Sequence, residues 1–279
     1  MIFNNKRGQV TTYVIIAIVI VALGILASVF WPQVSGFFTS EDQARAILAS
    51  QSDSLRKAVS DCVETTSKDI ITRQGLQAGY YDYSHLYSIE FAGPKVVVMT
   101  KNINKERINN MPSITKIEQE FNKAMQEEGY ERIDACLNNF ASFRSIDVEP
   151  RERNIGLKIE DEIVIVSVDW PMTLSKPTMT GTVSQNINQN SVNILIPLGR
   201  AWKVANDIVT MEVQQKDVTN EIDYYILSNV YRLQYTRLNS QNYPNDRKTI
   251  YFINTIPYRA GEQQLNFYFA VDREEYTFI

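Results

Sequence analysis

The chain has 279 residues, with 28 Lys and Arg against 32 Asp and Glu, one histidine and a net charge of −4. No acidic residue precedes Ser40 and only two basic ones do, so residues 40–279 carry 26 basic against 32 acidic groups, a net −6. That balance argues against a nucleic-acid surface, which needs clustered Lys and Arg, and 15 Tyr beside only 11 Gly and 9 Pro exclude a flexible stalk.

The first element is apolar. Between Gly8 and Ser40 there is no charge, and residues 13–31 form an almost unbroken hydrophobic run. At 1.5 Å per residue these ~19 positions make a helix of roughly 29 Å, close to the hydrocarbon thickness of a bilayer. Tyr13 and Trp31 stand at its two ends as expected interface anchors, with Lys6 and Arg7 just before it. The positive-inside rule then places the N-terminus in the cytoplasm and the rest outside. The expected layout is a basic cytoplasmic leader over 1–8, a transmembrane helix and junction over 9–39, and an extracytoplasmic domain over 40–279. A cleaved secretory signal fits less well, because the run continues apolar past Ala22-Leu23-Gly24, and a buried core helix would show a polar face.

Ser40-Glu41-Asp42-Gln43 has the form of a capping box and predicts a helix from there towards Gly75 or Gly79, after a break near Pro32 and Gly36. Its apolar stripe reads Ala44, Leu48, Leu55, Val59, Cys62, Val63 and Ile70. Residues 87–91 and 95–100 read as a hairpin around Ala92-Gly93-Pro94. Thr115-Lys116-Ile117-Glu118 is a second capping box, opening a helix with the stripe Ile114, Ile117, Phe121, Met125, Ile133, Cys136, Leu137 and Phe140.

From Ser145 the period becomes two. Residues 145–149, 154–160, 162–169, 172–175 and 191–197 are strand candidates, and GTVSQNINQN (181–190) reads as an exposed hairpin tip or mobile loop. Residues 198–215 return to helical spacing through Trp202, Ala205, Ile208 and Val209, with a short helix near 218–227. Strands at 230–238, 248–256 and 264–271 close the chain, the first two joined by a turn in LNSQNYPNDR. The expected fold class is α+β: an N-terminal transmembrane helix, then long helices packed on a mainly antiparallel β domain, with a soft boundary near 215–220.

Cys62 and Cys136 are the only cysteines, both in the part assigned to the exterior, where two thiols usually pair. Spacings of three and four put each on the buried face of its helix. A bridge closing a ~75-residue loop stabilises by roughly 4 kcal/mol on the chain-entropy account; two free core thiols are the other arrangement. No metal site is expected, since His85 alone could supplement them.

Catalytic signatures are missing. Asp82-Tyr83-Ser84-His85 offers three triad residue types, but sequence neighbours seldom converge as a triad, so His85 reads as a surface-loop residue. Asp161-Glu162 and Glu274-Glu275 read as solvated turns or strand ends, and no phosphate-binding, dinucleotide or zinc-protease motif occurs. No catalytic residue, cofactor or enzyme activity is expected.

Lys6-Arg7-Gly8-Gln9 ahead of an apolar helix resembles the class III signal peptide of archaeal type IV pilin-like proteins. The resemblance implies cleavage between Gly8 and Gln9 that leaves the apolar helix attached. SDCVETTSKDIITRQGLQAGYYD, CLNNFASF and IVIVSVDWPMTLSK look like a group of uncharacterised membrane-anchored archaeal proteins. Tyr13 stands where pilin-like helices carry a Glu that neutralises a neighbour's N-terminal amine. The implied function is a non-enzymatic, membrane-anchored cell-surface subunit, structural or adhesive. Its expected partners are the lipid bilayer, other copies through the N-terminal helix, and surface proteins. The alternative is an anchored binding module for a solute or a protein.

Overall fold

The computed structural model describes residues 15–25, 39–90, 95–103, 106–188, 191–214, 233–239, 248–257 and 260–272. Within them the chain is α+β with antiparallel sheets, as the period change after Ser145 implies.

The membrane-spanning helix in the expected fold class requires correction. The described part of helix α1 is residues 15–25, eleven positions spanning about 16 Å, roughly half a bilayer's hydrocarbon thickness. No helix among the described residues is long and apolar enough to cross a membrane. Lys6, Arg7, Gly8, Gln9, Tyr13 and Trp31 lie outside the described residues, as do the break near Pro32 and Gly36, the boundary near 215–220 and the short helix near 218–227.

The chain divides into two compact units. One contains Met1–Leu55, Phe143–Pro150 and Met172–Ile187; the other contains Arg56–Ser142, Arg151–Pro171 and Asn188–Ile279.

In the first unit, helix α2 (Glu41–Leu76) starts on the expected capping box. The Gln43 N–H donates to Ser40 Oγ and the Ser40 N–H to Gln43 Oε1, each at 3.3 Å, so two otherwise orphaned donors are satisfied. Ala44, Leu48 and Leu55 form the buried stripe. Numbering the strands in chain order, this unit holds the antiparallel sheet β5-β8-β9, of β5 (Asp147–Pro150), β8 (Met172–Thr178) and β9 (Gly181–Ile187). Residues 181–187, expected as a loop, are thus a strand: pairing with β8 along its whole length overrides a polar composition that propensity reads as turn.

The second unit carries the rest of α2. Gly75 lets its backbone approach the last strand, since a Cβ there would lie 2.5 Å from the Asn266 carbonyl oxygen. The helix ends where the Gly79 N–H bonds the Gln74 carbonyl (2.7 Å), with Gly79 at φ +95°. Strands β1 (Ser88–Glu90) and β2 (Lys95–Val97) form the expected hairpin, and an unexpected one follows from β3 (Thr100–Ile103) and β4 (Glu106–Asn109).

Helix α3 (Ile114–Ala124) is capped by Ser113, whose Oγ accepts the Lys116 N–H at 3.1 Å, not by Thr115 as expected. It continues through a π turn (Met125–Gly129) into α4 (Tyr130–Leu137). Ile117, Phe121, Met125, Gly129, Ile133 and Leu137 are all buried at steps of four. In a 3.6-residue helix each such step overshoots a full turn by about 40°, and a wider π turn takes out part of that drift.

Strands β6 (Asn154–Ile159), β7 (Val164–Asp169) and β10 (Val192–Ile194) form a sheet in the order β10-β7-β6, with Val164, Val166 and Val168 turned inward. Strands β11 (Leu233–Asn239), β12 (Lys248–Thr255) and β13 (Asn266–Asp272) form another. Its central strand is buried on both faces. Ile250 and Phe252 pack with Val96, Val98 and Ala270, while Tyr251 stacks on Phe269 at 5.1 Å and donates its hydroxyl to Glu212 of helix α5 (Leu198–Val213).

Candidate functional site

Three features of the described residues stand apart from ordinary core packing: a cross-linked helix pair, a saturated carboxylate cluster and the apolar surface of α1.

Cys62 on α2 and Cys136 on α4 lie at disulfide distance, with Cα atoms 5.9 Å apart across 74 residues of sequence. Cys62 is buried but Cys136 is exposed, which corrects the expectation that both face the core. Ile133 and Leu137 define the buried line of α4, and Cys136 falls on its flank. Ion pairs run beside the bridge. Arg132 Nη1 lies 2.6 Å from Asp69 Oδ2, and Arg73 pairs with Glu128 and, at 3.4 Å, with Asp69. Burial lowers the Arg73 pKa, but Glu128 and Asp69 more than offset this and leave it raised.

The second feature holds the segment after α2. Glu120 is only 5% exposed, yet its carboxylate accepts the N–H groups of Tyr81 (3.2 Å) and Asp82 (3.3 Å) and pairs with Lys116 Nζ at 2.8 Å. Burial alone would push this carboxyl up; the Lys116 ammonium and the two backbone donors more than offset it and hold it below its ordinary value. Gln74 Nε2 completes the brace by donating to the carbonyls of Gly79 (3.1 Å) and Ile117 (3.2 Å). Asp82 accepts from Ser84 Oγ (2.7 Å), the Ser84 N–H (3.1 Å) and Lys123 Nζ (3.1 Å), which hold its carboxyl well below the usual carboxylate range.

The chemistry of this cluster is anchoring. Ser84 donates its hydroxyl hydrogen bond to Asp82 and not to His85, which is exposed as expected for a loop residue. His85 instead lines a pocket of about 320 Å³ with Tyr87, Thr100, Lys101, Asn110 and Asp272. Asp161 and Glu162 behave as turn residues: the Asp161 carbonyl accepts the Arg200 N–H at 3.1 Å and Glu162 pairs with the Arg200 guanidinium. Glu274 and Glu275 lie outside the described residues. Among the described residues no three His, Cys, Asp or Glu side chains converge as a metal set. Sequence reasoning passed over Glu120 and Gln74. Their only local signal is a polar residue on an otherwise apolar stripe, and their partners are up to 43 residues away.

The third feature is α1. Ile15, Ile16, Ile18, Val19, Ile20, Val21, Leu23 and Ile25 are each between 49% and 63% exposed. At 100° per residue these positions surround the axis, so the helix has no polar face to give to water.

No family model matches this chain, and neither a curated protein nor a solved structure is similar to it.

Proposed function

We propose that the chain is a non-enzymatic structural or adhesive subunit of the cell surface, which associates with other copies of itself through α1. One observation carries the reading: an α-helix with aliphatic side chains on every side, of which Ile15, Ile16, Ile18, Val19, Ile20, Val21 and Leu23 are each about half or more exposed. Leaving that area in water costs about 25 cal/mol per Å², and packing copies of α1 side by side removes the cost. The cysteine pair adds support, because structural disulfides belong to oxidising, extracytoplasmic compartments. The pilin-like leader Lys6-Arg7-Gly8-Gln9 fits a helix that is retained for assembly.

Ile18→Asp tests this. In mild detergent the full chain should form assemblies that collapse to a small discrete species in the variant, as read by light scattering on a sizing column. An unchanged mass overturns the reading. If the variant loses only liposome flotation while its mass stays the same, α1 serves a lipid surface and the self-association reading falls.

A second reading, an anchored binding module, draws on the pocket beside His85. Its volume is at the lower end for small-molecule sites, and Lys101 and Asp272 place charges of both signs on its wall. Chemical-shift changes confined to His85, Tyr87 and Lys101 on adding small zwitterionic solutes would favour it.

A further inference from the structure

Sheet edges are normally protected, because an unpaired row of N–H and C=O groups templates pairing with another chain. Two edge strands here show how this chain does it. β6 is blunted by Glu118, whose Oε1 accepts the Ile159 N–H at 3.0 Å. β5 is four residues long and carries Asp147, Glu149 and Pro150. β9 has none of these devices: it is seven residues long, with no charge and no proline.

The register shows which groups it leaves open. Pro177 of β8 lies opposite Thr182 of β9. Proline has no N–H, so this pair exchanges no hydrogen bonds, and antiparallel alternation makes Ser175–Ser184 and Thr173–Asn186 the same type. The backbone N–H and C=O of Thr182, Ser184 and Asn186 therefore point away from β8. No strand among the described residues pairs with that side.

We infer that β9 is an assembly edge that pairs antiparallel with β9 of a second copy, about a two-fold axis at Ser184, joining two three-stranded sheets into one of six. The opposed pairs become Thr182 with Asn186, Val183 with Gln185, and Ser184 with Ser184. All are uncharged, so no like charges meet across the ladder. Three open residues on each strand supply six inter-copy hydrogen bonds. A groove of about 490 Å³ beside β9 is lined by Glu41, Arg45 and Leu48 of α2 together with Thr182, Val183, Ser184 and Gln185. Its one acid and one base, Glu41 and Arg45, pair with each other at 3.9 Å, so the groove brings no uncompensated charge against its counterpart in a two-fold contact. The contact is separate from α1 and stands without it.

The test uses the full chain in detergent, carrying Ile18→Asp so that α1 cannot contribute. Ser184→Pro removes an outward N–H without touching the β8 ladder, and should halve the mass from dimer to monomer. Independently, Ser184→Cys should give an interchain disulfide dimer on a non-reducing gel, because residues facing each other in an exchanging pair have Cα atoms about 5.5 Å apart. Glu149→Cys, on the opposite edge of the same sheet, should give none. A monomer before Ser184→Pro is introduced, or a dimer that persists after it, overturns the inference. If Ser184→Pro does not fold, the cross-link decides: no dimer through position 184, or equal dimer through position 149, overturns it. The α1 reading is scored separately, by whether Ile18→Asp lowers the mass at all.

Discussion

The guanidinium of Arg153 lies 4.7 Å from the centroid of the Trp170 ring, and the Tyr130 ring contacts the same group at 4.5 Å. Both its terminal nitrogens meet Asp134, at 2.5 and 2.8 Å. A planar cation held by two aromatic faces and a carboxylate fork ties α4 to Trp170, the residue just after β7.

Replacing Arg153 should show how much of that tie is the plane and how much the charge. Arg153→Ala loses the stacking and the charge-assisted fork, a cost of about 2 kcal/mol. Arg153→Lys keeps the charge but cannot make a bidentate, stacked contact, and should lose about half as much. Urea unfolding reads both, and equal midpoints for all three proteins would contradict the account.

The Cys62–Cys136 bridge should be reducible in the folded protein, because Cys136 is exposed. Dithiothreitol without denaturant should shift the urea midpoint as far as the double replacement Cys62→Ala, Cys136→Ala does, corresponding to about 4 kcal/mol for a closed loop of this length. Two free thiols on alkylating protein purified under oxidising conditions would show that the pair does not bond.

Acid should weaken the fold partly through Glu120. Its folded pKa is below the ordinary 4.5, so the folded state holds fewer protons than the unfolded one near that value. The stabilisation is therefore present above about pH 4.5 and lost as pH falls through the lower folded value. Glu120→Gln should cost about 1–2 kcal/mol at pH 7, and the gap should narrow as pH falls through the lowered folded pKa, where protonation removes the same charge. A gap between wild type and variant that is constant over that range argues that the carboxylate charge contributes nothing. Lys123 works at the other end. The Asp82 hydrogen bond raises its pKa, so its contribution is lost only as pH rises past its ordinary 10.5.

Gly75→Ala should be destabilising despite alanine's higher helix propensity. The new Cβ would sit 2.5 Å from the Asn266 carbonyl oxygen and 3.0 Å from Leu265 Cδ1, and the backbone oxygen cannot rotate away. Overpacking of this kind costs about 1–3 kcal/mol. A rise in melting temperature would mean that α2 and β13 separate more easily than the packing implies.

What the sequence determined by itself is local. The Ser40–Gln43 box, the period-two runs from β6 to β8, and the helical stripes of α2 and α3 were all legible, because each depends on side chains three or four residues apart, or on simple alternation. Tertiary structure decided what local pattern leaves degenerate. The polar run at 181–187 became a strand because β8 supplied a partner for its backbone. Ser113 displaced Thr115 as the cap of α3. A π turn rephased a stripe whose spacing of four drifts around a regular helix, while Cys136 came to lie on the flank of α4 and not in its core. Glu120 is the clearest case: an acid on a buried face contradicts patterning until the N–H groups of Tyr81 and Asp82 arrive from 39 and 38 residues away. The apolar run at 13–31 is long enough to suggest a span, whereas no helix among the described residues is long and apolar enough to cross a membrane. Hydropathy records how strongly a segment avoids water. What covers that segment depends on partners that no local pattern names.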